Sequence, residues 1–320
     1  MAPRASLRHI PGMKIARRAA LLTPFAATAQ EARPLRIIVP FPPGGAADFV
    51  ARVVGERLAR GIAQPVVVEN RTGAGGNIGT AAAVQAEQAI LLNGVPFAVN
   101  RFLFATLPFD PERDFTPIAL LAVVPNIMVV PTSLPVTTVA EFVALARRQP
   151  VSFASIGNGT SLHLAGAQFA QATGLSMTHV PYRETAAANN DLIAGRVEVM
   201  FQTISAAAEL VRGGRMRALA VTSAERAPGF ETVPTLREAG VDLVSVGWFG
   251  FWAPANTPPA RRAQLEAESL AAIADPAVVQ RITGTGSIPR GLGSADFAAF
   301  IAEETQRLGA LVRSAGIRAD

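Results

Sequence analysis

Few side chains in this sequence could do chemistry, and most of the familiar combinations are missing. His163 and His179 have no carboxylate at ligand spacing, so they make no metal set, and no Gly-x-Ser-x-Gly elbow offers an activated serine. The chain has no cysteine, which removes thiolate catalysis, zinc–thiolate sites and disulfides together. Its only lysine is Lys14, so no Gly-Lys-Ser/Thr closes a phosphate loop, and Gly73, Gly75 and Gly79 miss the dinucleotide spacing. What remains is backbone chemistry. The first N–H groups of a helix have no intrahelical acceptor, and where they open into a cleft they hold an anion without a charged side chain.

Two stretches are arranged for that. In residues 35–48 the aliphatic run Leu35, Ile37, Ile38 and Val39 reads as a strand covered on both faces. Pro40, Pro42 and Pro43 remove donors and force a turn, Gly44 and Gly45 allow it, and Phe49, Val50, Val53, Val54 and Leu58 then have helical spacing. A helix that begins just past a strand's carboxyl end opens where α/β sheets take ligands. Asp48, in the first helical turn, answers part of the helix dipole itself unless it points away. The second stretch repeats the plan, with a strand from Val151, a turn through Gly157 and Gly159, a cap at Thr160 or Ser161, and a helix that stops at Gly174. One such mouth in each half, facing across a cleft, weighs more than either alone. His163 falls in the first turn of this second helix, and both histidines read first as structural residues.

Charge and composition narrow the partner. Half of the 320 residues are apolar, enough for two ordinary cores, and the net charge of +5 comes entirely from residues 1–29. That segment holds Arg4, Arg8, Lys14, Arg17 and Arg18 and no acid, whereas residues 30–320 carry 24 basic and 24 acidic groups. A neutral remainder lacks the basic field that nucleic acid requires. A cationic stretch to Arg18, a short apolar stretch over residues 19–27 and Ala27-Thr28-Ala29 together read as a secretory signal cut before Gln30. No apolar run is long enough to span a bilayer, so a soluble exported protein is expected.

The elements that must position the two mouths follow in a strand–turn–helix rhythm. A strand over residues 65–70 runs into a second glycine-rich turn over 71–80, and further strands are expected over 90–94, 177–182, 197–202 and 217–222. Residues 118–124 and 127–130 read as two extended pieces interrupted by Pro125, and Pro131 and Pro135 bracket a crossing between domains. Residues 235–240 read as a short helix, and 246–254, with Trp248 and Trp252, as the return crossing. Helices over 258–274, 276–282 and 294–314 end the chain, the last with an apolar stripe that belongs to a core.

With these stretches in view, the sequence resembles the substrate-binding proteins of tripartite tricarboxylate transporters, the Bug family. The resemblance runs from about residue 34 to the end. It is carried by Ile-Val-Pro-Phe-Pro-Pro-Gly-Gly, Val-Val-Val-Glu-Asn-Arg-Thr-Gly-Ala-Gly-Gly-Asn-Ile-Gly, Gly-Asn-Gly-Thr-Ser-Leu-His-Leu-Ala-Gly, His-Val-Pro-Tyr and Val-Pro-Thr-Leu-Arg-Glu-Ala-Gly. It implies the type II periplasmic binding protein fold: α/β, two lobes, each a central mixed sheet flanked by helices, joined by two crossing segments. Residues 30–131 and 250–320 would form one lobe and 132–249 the other. It further implies a monomeric periplasmic receptor rather than an enzyme, with no cofactor and no metal. Such a receptor closes on a small organic carboxylate and delivers it to a membrane permease or a sensor. The family pattern carries over Phe41, Pro42, Gly44, Gly45 and Ala46 on one lobe, Gly75 and Gly76 nearby, and Gly157, Thr160, Ser161, His163 and Tyr182 on the other.

Three departures from the pattern bear on the ligand. The segment over 85–90 is short, Glu184 stands where glycine is common, and Gln202 stands where an aspartate often holds an amino group. A plain carboxylate is therefore expected over an amino acid, with Gln202 still among the contacts. Two other readings stay open from the sequence alone: an exported α/β enzyme acting on a small anion, and a diverged relative without a ligand.

Overall fold

The computed structural model describes Met1 and residues 33–314 and 316–318. Apart from Met1, the expected leader lies outside the described residues. The first part alternates β1 (Leu35–Val39), α1 (Ala46–Gly61), β2 (Val66–Asn70), α2 (Asn77–Gln85), β3 (Ala89–Gly94) and α3 (Val95–Leu103). After β4 (Phe115–Pro131) come α4 (Val139–Ala146), β5 (Val151–Ser155), α5 (Ser161–Thr173), β6 (Met177–Pro181), α6 (Thr185–Ile193), β7 (Val199–Thr203), α7 (Ile204–Arg212) and β8 (Met216–Val221). The chain returns through β9 (Val246–Pro254) and ends with α8 (Pro259–Ala274), α9 (Pro276–Thr283), β10 (Ile288–Leu292) and α10 (Ser294–Ser314). Among the described residues no helix is long and apolar enough to cross a membrane.

The strands form a mixed sheet in the order β2-β1-β3-β9-β4-β7-β5-β6, with β10 and β8 also pairing with β4. β1 is parallel to β2 and β3, and β5 to β6 and β7, as short strand–helix–strand units require. Alternation along each strand feeds two opposed cores. Ile37 and Val39 pack with α1, α8 and α9, while Ile38 faces the aromatic core of α3 and α10. In the second half, Ile127 and Val129 face α6 and α7, and Met128 and Val130 face α4 and α5.

β4 departs from the expected pair of broken pieces. It is one strand of 17 residues that runs through Pro117 and Pro125. Residues 115–125 pair with β9, whereas from Asn126 onward the partners are β7 and β8. Pro125 sits at the last β9 register position, so its missing N–H falls where the ladder changes partner and little is lost. The change of sheet therefore lies inside β4 rather than in the proline-bracketed turn at 131–135.

Two smaller expectations also differ. Residues 235–240 close a single turn, in which Thr235 N–H meets the Glu238 carboxylate and Glu238 N–H meets the Thr235 hydroxyl, and they do not continue as a helix. β10 was not expected, because Pro289, Gly291 and mostly exposed side chains give it no alternating pattern.

Candidate functional site

Gly45 caps α1 with no side-chain bond, so the first-turn amides of Ala46 and Ala47 face outward from the helix mouth without an intrahelical acceptor. Gly44, at φ +76°, turns its own N–H back to the Asp48 carboxylate at 3.1 Å. Asp48 is also paired with Arg52, both oxygens lying within 3.1 Å of Nε. Burial works to raise its pKa, but the Arg52 guanidinium and the Gly44 amide outweigh it and hold the carboxyl below its usual range. The charge at this helix start is thus turned away and answered by arginine.

The matching mouth on α5 is capped by Thr160, whose Oγ1 donates to the Gly157 carbonyl at 2.8 Å and accepts from His163 N–H at 3.4 Å. Ser161 Oγ donates to Asn126 Oδ1, and Asn126 Nδ2 donates to the Ser161 carbonyl, each at 3.3 Å. Asn126 is fully buried at the point where β4 changes partner, so the α5 mouth is fastened to the crossing itself. Thr222 completes the fastening: its hydroxyl accepts from Asn126 N–H at 3.1 Å and donates to the Ser245 carbonyl on the return crossing. Gly247 makes room for it, since a Cβ there would lie 2.9 Å from Ser161 Oγ.

These mouths share a cavity. Its lining takes Gly45, Ala46 and Ala47 from α1, Val95 and Pro96 from α3, Thr160, Ser161 and Leu162 from α5, Thr185 from α6 and Thr203 before α7. The remaining wall comprises Phe41, Ile156, Gln202 and the crossing residues Gly247, Trp248 and Phe249. Five helix N-termini therefore open onto one space, each worth about half a positive charge at its end. None of the lining residues is charged. Thr185 is 7% exposed and its Oγ1 has no hydrogen-bond partner among the described residues, an orphan polar atom in the cavity wall. A Cβ on Gly45 would come within 3.4 Å of that oxygen, so the α1 and α6 mouths face one another closely. Gln202, 1% exposed, donates to Asn189 Oδ1 at 2.9 Å and accepts from Thr203 N–H at 2.9 Å, which fixes its amide. The space for solvent centres is about 30 Å³, room for a water or two.

A second space of about 370 Å³ adjoins this one across Phe41, Ile156 and Thr160. Pro42, Gly75, Gly76, Gly157 and Tyr182 line it, with Arg183. Of the residues singled out in the sequence, six thus line the inner cavity (Phe41, Gly45, Ala46, Thr160, Ser161 and Gln202), and the five just named line only its neighbour. Gly44 and His163 line neither. His163 sits behind the α5 mouth, its Nδ1 accepting the Gly159 N–H at 3.2 Å and its ring stacked 3.9 Å from His179. Burial first, and the neighbouring His179 second, lower its pKa to about 3, and burial lowers His179 to about 4. Both rings are neutral at ordinary pH and serve to shape the turn. Glu184 is exposed and lines neither space. Sequence reasoning passed over Ala47, Val95, Pro96, Ile156, Thr185 and Thr203, although Thr185 and Thr203 follow the same strand-then-helix-start signal.

A family model described as "Tripartite tricarboxylate transporter family receptor" matches residues 50–317. Protein BugT of Bordetella pertussis is 34% identical over 308 residues, covering 94% of each chain. Among solved structures, R. palustris Rpa4515 with adipate superposes with a TM-score of 0.86 at 32% identity, covering 89% of this chain and 98% of that one. MatC (Rpa3494) from Rhodopseudomonas palustris with bound malate gives 0.81 at 28% identity, covering 87% and 98%.

Proposed function

This chain belongs to the tripartite tricarboxylate transporter receptor family, a family of solute-binding receptors, and from that premise we propose that it captures a small organic carboxylate at the five-mouth cavity. The observation that carries the reading is the convergence of five helix N-termini on an uncharged cavity whose Thr185 hydroxyl lacks a partner among the described residues. Helix dipoles and first-turn amides stabilise a carboxylate there, and an ammonium would meet the same field with the wrong sign. No salt bridge has to be desolvated on binding, and ordered water fills what the amides do not reach.

Adipate and malate in the related structures are the class of ligand this chemistry suits. The inner cavity has room for a water or two only, so the ligand extends into the adjoining space or the two halves of the sheet part to admit it. In this reading the two halves are lobes that close on the ligand, with the expected boundary at 131/132 moved back to the change of partner at Asn126 within β4. The receptor works as a monomer in the periplasm after loss of its leader and hands the ligand to a tripartite membrane permease or a sensor. It performs no turnover and binds no nucleic acid.

Calorimetric titration of the purified protein with adipate, malate and 1,6-diaminohexane tests this. One saturable site for a dicarboxylate, no heat from the diamine and unchanged ligand recovered by chromatography are expected. Recovery of a reaction product, or no saturable binding anywhere in a panel of mono-, di- and tricarboxylates, overturns it.

A further inference from the structure

α3 has its mouth at the five-mouth cavity and its flank on a larger one. This third space, about 530 Å³, lies between α3, α10 and strands β4 and β9, within the size range of small-molecule sites. Phe97, Phe102, Phe115 and Ile301 give it apolar walls, and Trp252 forms part of them.

The two tryptophans of the chain differ in one respect. Trp248 donates its indole N–H to Glu304 at 2.9 Å, whereas Trp252, 0% exposed, has an indole N–H with no acceptor among the described residues. A buried donor left unpaired is costly and uncommon in a native core. The arginines of the wall differ in the same way. Arg101 is held by Glu112 at 2.7 Å, but Arg313 stands over the Phe102 ring, 5.3 Å from its centre, with no carboxylate partner among the described residues.

We propose that this cavity is a second ligand site, separate from the carboxylate site. Its ligand is a small amphipathic anion: a carboxylate at Arg313, an aromatic or short aliphatic body against the phenylalanines, and a neutral oxygen that accepts the Trp252 N–H once the wall side chains shift to bare that fully buried indole. Each part of that description answers an unmet feature of the wall. The carboxylate supplies the missing partner of Arg313, the body replaces water against apolar surface, and the oxygen satisfies the indole. A fully apolar molecule would leave the indole donor unpaired, and a short diacid would place its second charge against phenyl rings.

Two probes of one shape separate these cases: 4-acetylbenzoate carries the acceptor, and 4-isopropylbenzoate does not. In the full chain labelled with ¹⁵N, the two indole N–H resonances report on the two sites, and Trp252→Phe removes one and so assigns both. 4-Acetylbenzoate should move the Trp252 resonance saturably, and the isopropyl analogue should bind about tenfold more weakly, the weight of one hydrogen bond to a buried donor. Arg313→Gln should weaken binding about fivefold. Ala302→Phe, on an exposed face of α10 that lines the cavity, should abolish binding of 4-acetylbenzoate and leave adipate binding unchanged. The proposal is overturned if neither probe moves the Trp252 resonance, if the shift survives Ala302→Phe, or if adipate competes the probe away. The last outcome would place the probe in the carboxylate site while leaving that site intact.

Discussion

Thr185 separates ligand binding from folding at a single atom. Its Oγ1 is buried without a partner among the described residues, so Thr185→Val removes an unsatisfied group while keeping the shape. The unliganded variant should be as stable as the parent or up to about 1 kcal/mol more stable, because no hydrogen bond is lost and the cost of burying a bare hydroxyl disappears. Carboxylate affinity should instead fall about tenfold, read by titration beside a thermal melt. A loss of stability with unchanged affinity would remove Thr185 from the site. The histidine pair makes the opposite case, since it lines neither the inner cavity nor the adjoining space. Its rings have pKa values of about 3 and about 4 when folded, against 6.5 ordinarily. The unfolded chain therefore binds more protons between about pH 4 and pH 6.5, and stability must fall as pH falls through that window. The slope should be roughly 1 kcal/mol per pH unit for each ring, and His179→Phe, which keeps a ring against Phe153 and His163, should roughly halve it in urea unfolding at pH 6.5 and 4.5. In the sequence the absence of nearby carboxylates pointed to structural histidines, whereas the family pattern put His163 at the ligand. The orphan state of Thr185 was not, because it depends on what the opposite mouths fail to supply.

Each mouth is formed by local sequence, but its aim is set by the element beneath it. The Thr160 cap, the Gly174 stop and the proline turn before α1 are short-range signals, and α1 and α5 begin where those signals place them. The continuity of β4 through Pro125 was hidden, since proline reads as a break unless one knows that two different partners meet there. β10 was hidden for a similar reason: it is defined by its pairing with β4 and has no pattern of its own. Gly247 tests how far aim matters. Alanine at this position removes freedom from the unfolded chain, a gain of about 0.5 kcal/mol. Its Cβ, however, would stand 2.9 Å from Ser161 Oγ and 3.3 Å from the Val124 carbonyl. Ser161 would have to swing away and give up its bond to Asn126, which costs about 1–2 kcal/mol and wins over the gain. Gly247→Ala should therefore lower the urea midpoint modestly and weaken carboxylate binding several-fold, because the α5 mouth is displaced. An unchanged affinity would mean that the α5 mouth does not touch the ligand.

At the scale of the whole molecule the sequence conveyed the plan through its family resemblance, and the structure supplies the mechanics. Both halves of the sheet hang on β4, and the return path through β9 meets it at the same level, where Asn126, Thr222 and Ser245 are bonded together. Four apolar cores pack around the sheet, two mainly in each half, and we propose that the halves hinge at this crossing through backbone rotation at a few residues. The inner cavity, at about 30 Å³, is too small for a six-carbon diacid, so in the proposed reading either the halves part or the ligand extends into the adjoining space. For the first of these we propose that opening precedes capture and that the open form is populated without ligand. Small-angle scattering should then give a ligand-free radius of gyration larger than the one calculated from this structure, shrinking toward it as adipate saturates the site. Sucrose at high concentration, a molecule too large for the cavity, should leave the ligand-free value unmoved once contrast is matched. If the ligand-free radius already equals the calculated one and adipate leaves it unchanged, the halves do not hinge, and entry must be through the adjoining space beside Gly75 and Tyr182 with only side chains moving.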